Sequence, residues 1–181
     1  MLVYGDSLSA AYGIPREAGW VALLERRLAE GKPPWRTVNA SVSGETTAGG
    51  LARLSAVLDR HNPGIVILEL GANDGLRGLP VEQTAANLKA MATLAKQRGA
   101  RVLLVGMQLP PNYGSSYTRE FRDVYPGVAK QVGLPLVPFL MAGIATRPEL
   151  FQADGLHPVA LAQPRLMENV WQELKGMLGR R

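Results

Sequence analysis

Ile65-Val66-Ile67-Leu68-Glu69-Leu70-Gly71-Ala72-Asn73-Asp74 is the stretch that decides the fold. Ile65–Leu70 is an almost continuous apolar, β-branched run, the pattern of a strand buried on both faces. It ends on a glycine and a pair of short polar residues, so the chain leaves the strand through a tight loop. Helical spacing appears on either side of it. Thr46–Arg60 carries Leu51, Leu54, Val57 and Leu58 on one face, and Asn62-Pro63-Gly64 is the turn back to the strand. Val81–Arg98 turns Leu88, Met91, Ala92 and Leu94 inward and stops at Gly99.

The same alternation extends to both ends of the chain. Leu2–Tyr4 reads as a first strand closing on Gly5, and Trp20–Glu30 as an amphipathic helix stopped by Gly31 and Pro33-Pro34. Thr37–Ala40, Val102–Gly106 and Leu134–Pro138 supply three more strands. Tyr117–Val132 reads as a helix broken or bent near Pro126. A last helix is expected to begin at Pro158, a favoured first-turn position for proline. It runs to about Leu178 with Leu161, Leu166, Val170, Trp171 and Leu174 inside. A βαβαβαβαβα order predicts a three-layer α/β/α architecture, a flavodoxin-like, doubly wound sheet of about five parallel strands. With 181 residues, no repeat and no linker, residues 1–181 form one domain.

Composition removes several classes of function. There is no Cys, so disulfide scaffolds, thiolate-held metals and thiol nucleophiles are excluded, and two His leave no multi-histidine metal site. No metal or cofactor is expected. The balance of 20 Lys+Arg against 15 Asp+Glu gives a net charge of +5 and a pI near 9.8. The basic residues are scattered, with short pairs only at Arg26-Arg27 and Arg180-Arg181, so no nucleic-acid partner is expected. No apolar run is long enough for a membrane span, and no signal peptide is visible. Leu2-Val3-Tyr4 is already a strand, so the chain starts inside its first element and a preceding segment is expected to have been removed.

In open sheets of this kind ligands gather outside the carboxyl ends of the strands. Four polar, glycine-punctuated segments belong there: Gly5-Asp6-Ser7-Leu8-Ser9, Asn39-Ala40-Ser41-Val42-Ser43-Gly44-Glu45-Thr46, Gly71-Ala72-Asn73-Asp74 and Asp154-Gly155-Leu156-His157-Pro158. Together they contain the parts of an acyl-transfer site. Ser7 needs a base to become a nucleophile, His157 is one of two candidates, and Asp154 lies close enough in sequence to orient the imidazole. The N–H groups of Ser7 and Gly44 and the Asn73 amide are candidate donors to a developing oxyanion. Singly, each has a plainer reading. Ser7 and Asn73 also fit helix caps, Gly44 a turn, and Asp154 an N-cap. Asp6 and Asp74 read as structural, His61 as a solvated turn residue, and Glu69 as a buried carboxylate paired with an Arg or with loop N–H groups.

The four segments, in this order and spacing, resemble the SGNH (GDSL) hydrolase family over essentially the whole chain. Val38–Gly50, Gln108–Gly114 and Asp154–Pro158 look like its bacterial thioesterase I/arylesterase branch. The resemblance implies the SGNH hydrolase fold, with Ser7 as nucleophile, His157 as base and Asp154 as its partner, and with Ser7, Gly44 and Asn73 as the oxyanion hole. It implies a small-molecule acyl ester or thioester substrate, such as aryl esters, acyl-CoA-type thioesters or lysophospholipids. It also implies a monomeric, periplasmic or secreted protein, a cytoplasmic one being the alternative. There is no G-x-S-x-G elbow and no G-x-G-x-x-G or P-loop that would favour a nucleotide-binding module. A carbohydrate acetylesterase on the same scaffold is the alternative activity. Leu76, Leu79, Leu109, Pro110 and Tyr113 are the expected acyl-pocket residues. Gly75 and Gly78, flanking Leu76-Arg77, suggest a mobile flap.

Overall fold

The computed structural model describes residues 1–31 and 34–179. Pro33 of the expected Pro33-Pro34 helix stop and the Arg180-Arg181 pair lie outside the described residues. The sheet has five parallel strands in the order β2-β1-β3-β4-β5: β1 (Leu2–Gly5), β2 (Val38–Asn39), β3 (Ile65–Glu69), β4 (Arg101–Val105) and β5 (Leu136–Val137). The central register pairs Leu2 with Val66 and Gly5 with Glu69, then Ile65 with Arg101. β1 and β3 are buried along their whole length, as their unbroken apolar sequences require. The two edge strands are only two residues long, shorter than the expected Thr37–Ala40 and Leu134–Pro138. Each has a neighbour on one side alone, so the ladder ends where pairing ends.

The helices are α1 (Trp20–Ala29), α2 (Thr47–His61), α3 (Ala72–Leu76), α4 (Val81–Gln97), α5 (Ser115–Val132) and α6 (Gln163–Leu178). From β1 the chain crosses to β2 on one side, and from β2 it returns past β1 to β3 on the other. Right-handed crossovers then place α1 on one face and α2, α4 and α5 on the opposite face. The contacts agree: α1 packs on α6, and α2, α4 and α5 pack in a row. Trp20, Tyr4, Tyr125 and Phe121 are the largest fully buried side chains. None of the described helices is long and apolar enough to cross a membrane.

Three local expectations change. Pro126 does not break α5, which is one helix across it. Pro126 and Arg122 are both exposed, so the carbonyl freed by the missing N–H faces water. Pro158 does not open the last helix. It pairs in an antiparallel bridge with Phe151, a 3-10 turn follows at Ala160–Ala162, and α6 starts at Gln163 with Pro164 in its first turn. Leu161 therefore sits outside the helix and is 80% exposed rather than inside. Buried Gln163 fixes this start: its side chain accepts from Trp20 N and donates to Pro158 O, linking the first turn of α6 to that of α1. Ala72–Leu76, expected as loop, is a short helix.

Candidate active site

The strand order reverses at β1, which sits between β2 and β3, so the loops after β1 and β3 diverge there and leave a crevice. Ser7 lies two residues beyond β1. Its loop is held from below by Asp6, whose Oδ1 accepts from Leu8 N at 3.0 Å and whose Oδ2 accepts from Asn73 Nδ2 at 3.2 Å. The structural reading of Asp6 is therefore correct. Asp74 is structural as well, accepting from the Thr47 N–H and hydroxyl at the start of α2.

Ser7 Oγ is 2.8 Å from His157 Nε2, and His157 Nδ1 is 2.6 Å from Asp154 Oδ2. Asp154 Oδ1 also accepts from the N–H groups of Leu156 and His157. The His157 N–H, followed by those other donors, lowers the Asp154 carboxyl to about 2, so it is ionised at neutral pH. A carboxylate fixed on Nδ1 sets Nε2 as the nitrogen that faces the serine hydroxyl.

Gly44 occupies a turn closed by Glu45 N donating to Val42 O, at φ +79°, a conformation in which glycine is the unstrained residue. Among the described residues, the N–H groups of Ser7 and Gly44 enter no hydrogen bond. Asn73 is different. Its amide nitrogen reaches the same crevice but already donates to Asp6 Oδ2 and, at 3.0 Å, to Glu45 O. An oxyanion must share one of those hydrogens.

Ser7, Gly44, Asn73 and His157 line one end of a cavity of about 520 Å³ whose remaining wall is mostly apolar. Of the five expected pocket residues, Leu76, Leu109 and Pro110 line it, whereas Leu79 and Tyr113 do not. Gly78, at φ +65°, turns the chain outward before Leu79, and the 3-10 turn Pro111–Tyr113 carries the chain off the cavity after Pro111. Phe139, Met141 and Phe151, from segments to which the sequence assigns no role, complete the wall together with Leu156 of the Asp154–Pro158 segment. The glycine at 75 has a packing reason: a Cβ there would meet Leu109 and Phe121 at 2.7 Å. The segment after it is tied by Arg77 N to Asn73 O, by Leu79 N to Asp74 O, and by the Arg77 guanidinium to Gly44 O at 3.1 Å.

Glu69 is fully buried and, among the described residues, has no Arg partner. Its Oε2 accepts from the Ser9 hydroxyl at 2.6 Å and from Asp6 N at 3.4 Å, while Oε1 has no partner. Burial first, then the neighbouring Asp6 charge, pushes its carboxyl well above the ordinary range. Burial likewise raises Asp6, to about 6. His61 ends α2 in solvent, apart from this site.

A serine, an imidazole and a carboxylate in line at the carboxyl edge of a doubly wound sheet, opening on an apolar cavity, define an ester hydrolase. The chain belongs to the GDSL-like lipase/acylhydrolase family, whose profile matches residues 3–163. It is 53% identical over 178 residues to esterase TesA of Pseudomonas aeruginosa, covering 98% of this chain and 89% of that one. The crystal structure of TesA superposes on it with a TM-score of 0.95 at 54% identity, covering 98% of both chains. The arylesterase of Vibrio mimicus is 47% identical over 174 residues, covering 96% of this chain and 87% of the relative. Thioesterase 1/protease 1/lysophospholipase L1 of Escherichia coli K12 is 40% identical over 182 residues, covering 98% and 84%.

Proposed function

We propose that the protein hydrolyses acyl esters and thioesters through a covalent intermediate on Ser7. The observation that carries the reading is the unbroken line Ser7 Oγ–His157 Nε2, His157 Nδ1–Asp154 Oδ2 at one end of an apolar cavity. Ser7 Oγ attacks the acyl carbonyl carbon as its proton passes to His157 Nε2. The negative charge that collects on the carbonyl oxygen is met by the Ser7 and Gly44 N–H groups and by the Asn73 amide. When the tetrahedral species collapses, His157 returns its proton to the departing alkoxide or thiolate, leaving the acyl group on Ser7. Water then adds to that ester, His157 taking its proton and passing it back to Ser7 as the acid leaves. Asp154 stays ionised throughout and holds the imidazolium.

The apolar wall favours an acyl chain or an aryl group over a sugar ring, and so the esterase reading over a carbohydrate acetylesterase. The relatives' names point the same way, to aryl esters, thioesters and lysophospholipids as substrates. A monomer acting in the periplasm completes the proposal; light scattering and cell fractionation test those two parts.

Treatment with a fluorophosphonate followed by intact-mass measurement tests the chemistry. One adduct is expected, mapping to Ser7 and missing in Ser7→Ala and His157→Ala. A folded protein that gains no adduct, or gains it elsewhere, overturns the assignment.

A further inference from the structure

The turn that follows the nucleophile contains an unusual backbone. Ala11 has φ +60°, one of only two non-glycine residues in that region among the described residues, and Gly13 has φ +73°. Tyr12, between them, is directed onto the site. Its ring centroid lies 4.5 Å from that of His157, tilted by 41°, and it forms part of the cavity wall. A left-handed alanine persists only where its surroundings impose it.

Those surroundings are specific. Tyr12 N donates to Ser7 O at 3.1 Å. Tyr12 O accepts from Gln152 Nε2 at 2.8 Å, and Gln152 N donates to His157 O at 2.8 Å. Gln152 Nε2 also donates to Pro158 O, and Gly155 N donates to Gln152 O. Gln152 thus joins the backbone of the tyrosine turn to the backbone of the histidine loop, segments about 140 residues apart. Gly19 makes room for the strained residue, since a Cβ at that position would lie 2.8 Å from the Ala11 Cβ.

We propose that Tyr12 is a positioning residue for His157: its ring packs against the imidazole and holds it in line between Ser7 and Asp154. The imidazole is tied at Nδ1 to an exposed Asp154 loop, and rotation about its Cα–Cβ and Cβ–Cγ bonds carries it off the line to Ser7 whenever one of its two hydrogen bonds opens. An aromatic ring packed at a tilt with its centroid 4.5 Å away restricts that rotation. Tyr12 does this through its ring rather than its hydroxyl, and acts on the chemical step rather than on substrate capture.

The proposal rests on the serine-hydrolase reading, and the experiment separates the two. Tyr12→Phe and Tyr12→Leu are compared with the unchanged protein for hydrolysis of a p-nitrophenyl acyl ester, with rates expressed per fluorophosphonate-titrated site. Tyr12 is 52% exposed, so both variants are expected to fold with an unchanged thermal midpoint. Tyr12→Phe should keep kcat within about twofold. Tyr12→Leu should lower kcat by about tenfold or more, with KM moving less than about threefold, and should slow phosphonylation of Ser7 by a similar factor. Equal kcat for Leu and Phe, or a Leu effect confined to KM, overturns the role of Tyr12 while leaving the serine chemistry standing. An unchanged protein that is folded and does not react with the fluorophosphonate overturns both.

Discussion

Asn73 is the residue on which the most converges. Its amide holds the Asp6 carboxylate and the Glu45 carbonyl, and so ties the loop after β3 to those after β1 and β2. The same nitrogen is the one side-chain donor proposed for the oxyanion. Loss of a single such donor costs about 10²–10³ in kcat. Asn73→Ala is therefore expected to fall in that range with the fold retained, measured as steady-state turnover per titrated Ser7; near-normal turnover would remove it from the oxyanion hole. At this scale the site was legible where chemistry is concentrated in short blocks. Ser7, Gly44, Asn73, Asp154 and His157 each lie in a short block marked by a glycine, and the structure brings them to one crevice. Tyr12, Gln152 and Arg77 were not legible, because their significance is a contact with a distant segment and no local pattern encodes it. Leu79 and Tyr113 were misplaced for a related reason: they are apolar and on the correct edge, but a single turn decides whether such a residue faces the cavity. The packing of Gly75 against Leu109 and Phe121 is a further contact that no local pattern encodes.

Among elements, α5 shows how burial overrides local propensity. Phe121, Val124, Tyr125, Val128 and Ala129 are buried along one face, and this stripe is continuous through Pro126. Packing thus holds a helix that the proline opposes, and the proline sits on the solvent side where its lost hydrogen bond costs least. Pro126→Ala restores the N–H to Arg122 O without touching the buried face. It is expected to raise stability by about 1–3 kcal/mol, the low end reflecting the freer unfolded chain, read as a higher urea midpoint at unchanged m-value; an unchanged or lower midpoint would mean that the proline is not opposing the helix. The long periodic element α4 and the buried run β3 were legible to within a residue, and α6 at its end but not at its start, which lies five residues beyond Pro158. The short ones were not. α3 has five residues with Asn, Asp and Gly among them, and β2 and β5 depend on pairing that a sequence window does not contain.

Alternation of strand and helix along the whole molecule is what makes a parallel sheet between two layers of helices legible, while the order β2-β1-β3-β4-β5 comes from the structure. What alternation does not reveal is the cost of placing the site at its centre. β1 and β3 are adjacent and both end in carboxylates of the site loops, so Asp6 and Glu69 are buried side by side beneath Ser7. Both are raised by burial, Glu69 further by the Asp6 charge. A carboxyl whose folded value exceeds its unfolded one binds more protons in the native state, so its stabilisation is complete below the ordinary carboxylate range and is lost as pH rises through the folded value. Asp154, lowered to about 2, acts in the opposite sense: its contribution is present above about 4 and disappears as pH falls towards 2. Between pH 5 and 8 it is the buried pair, of these three, that binds more protons folded than unfolded, so the pair's contribution to stability should decline across that interval. Glu69→Gln keeps an oxygen for Ser9 and Asp6 N but cannot ionise, and the decline should become shallower. The level of stability is a poor test, because the new amide N–H groups fall where Glu69 Oε1 has no partner. The slope is a good one, because it counts protons alone. Urea unfolding of both proteins at pH 5, 6, 7 and 8 gives it directly, and parallel slopes would show that Glu69 carries the same charge folded and unfolded.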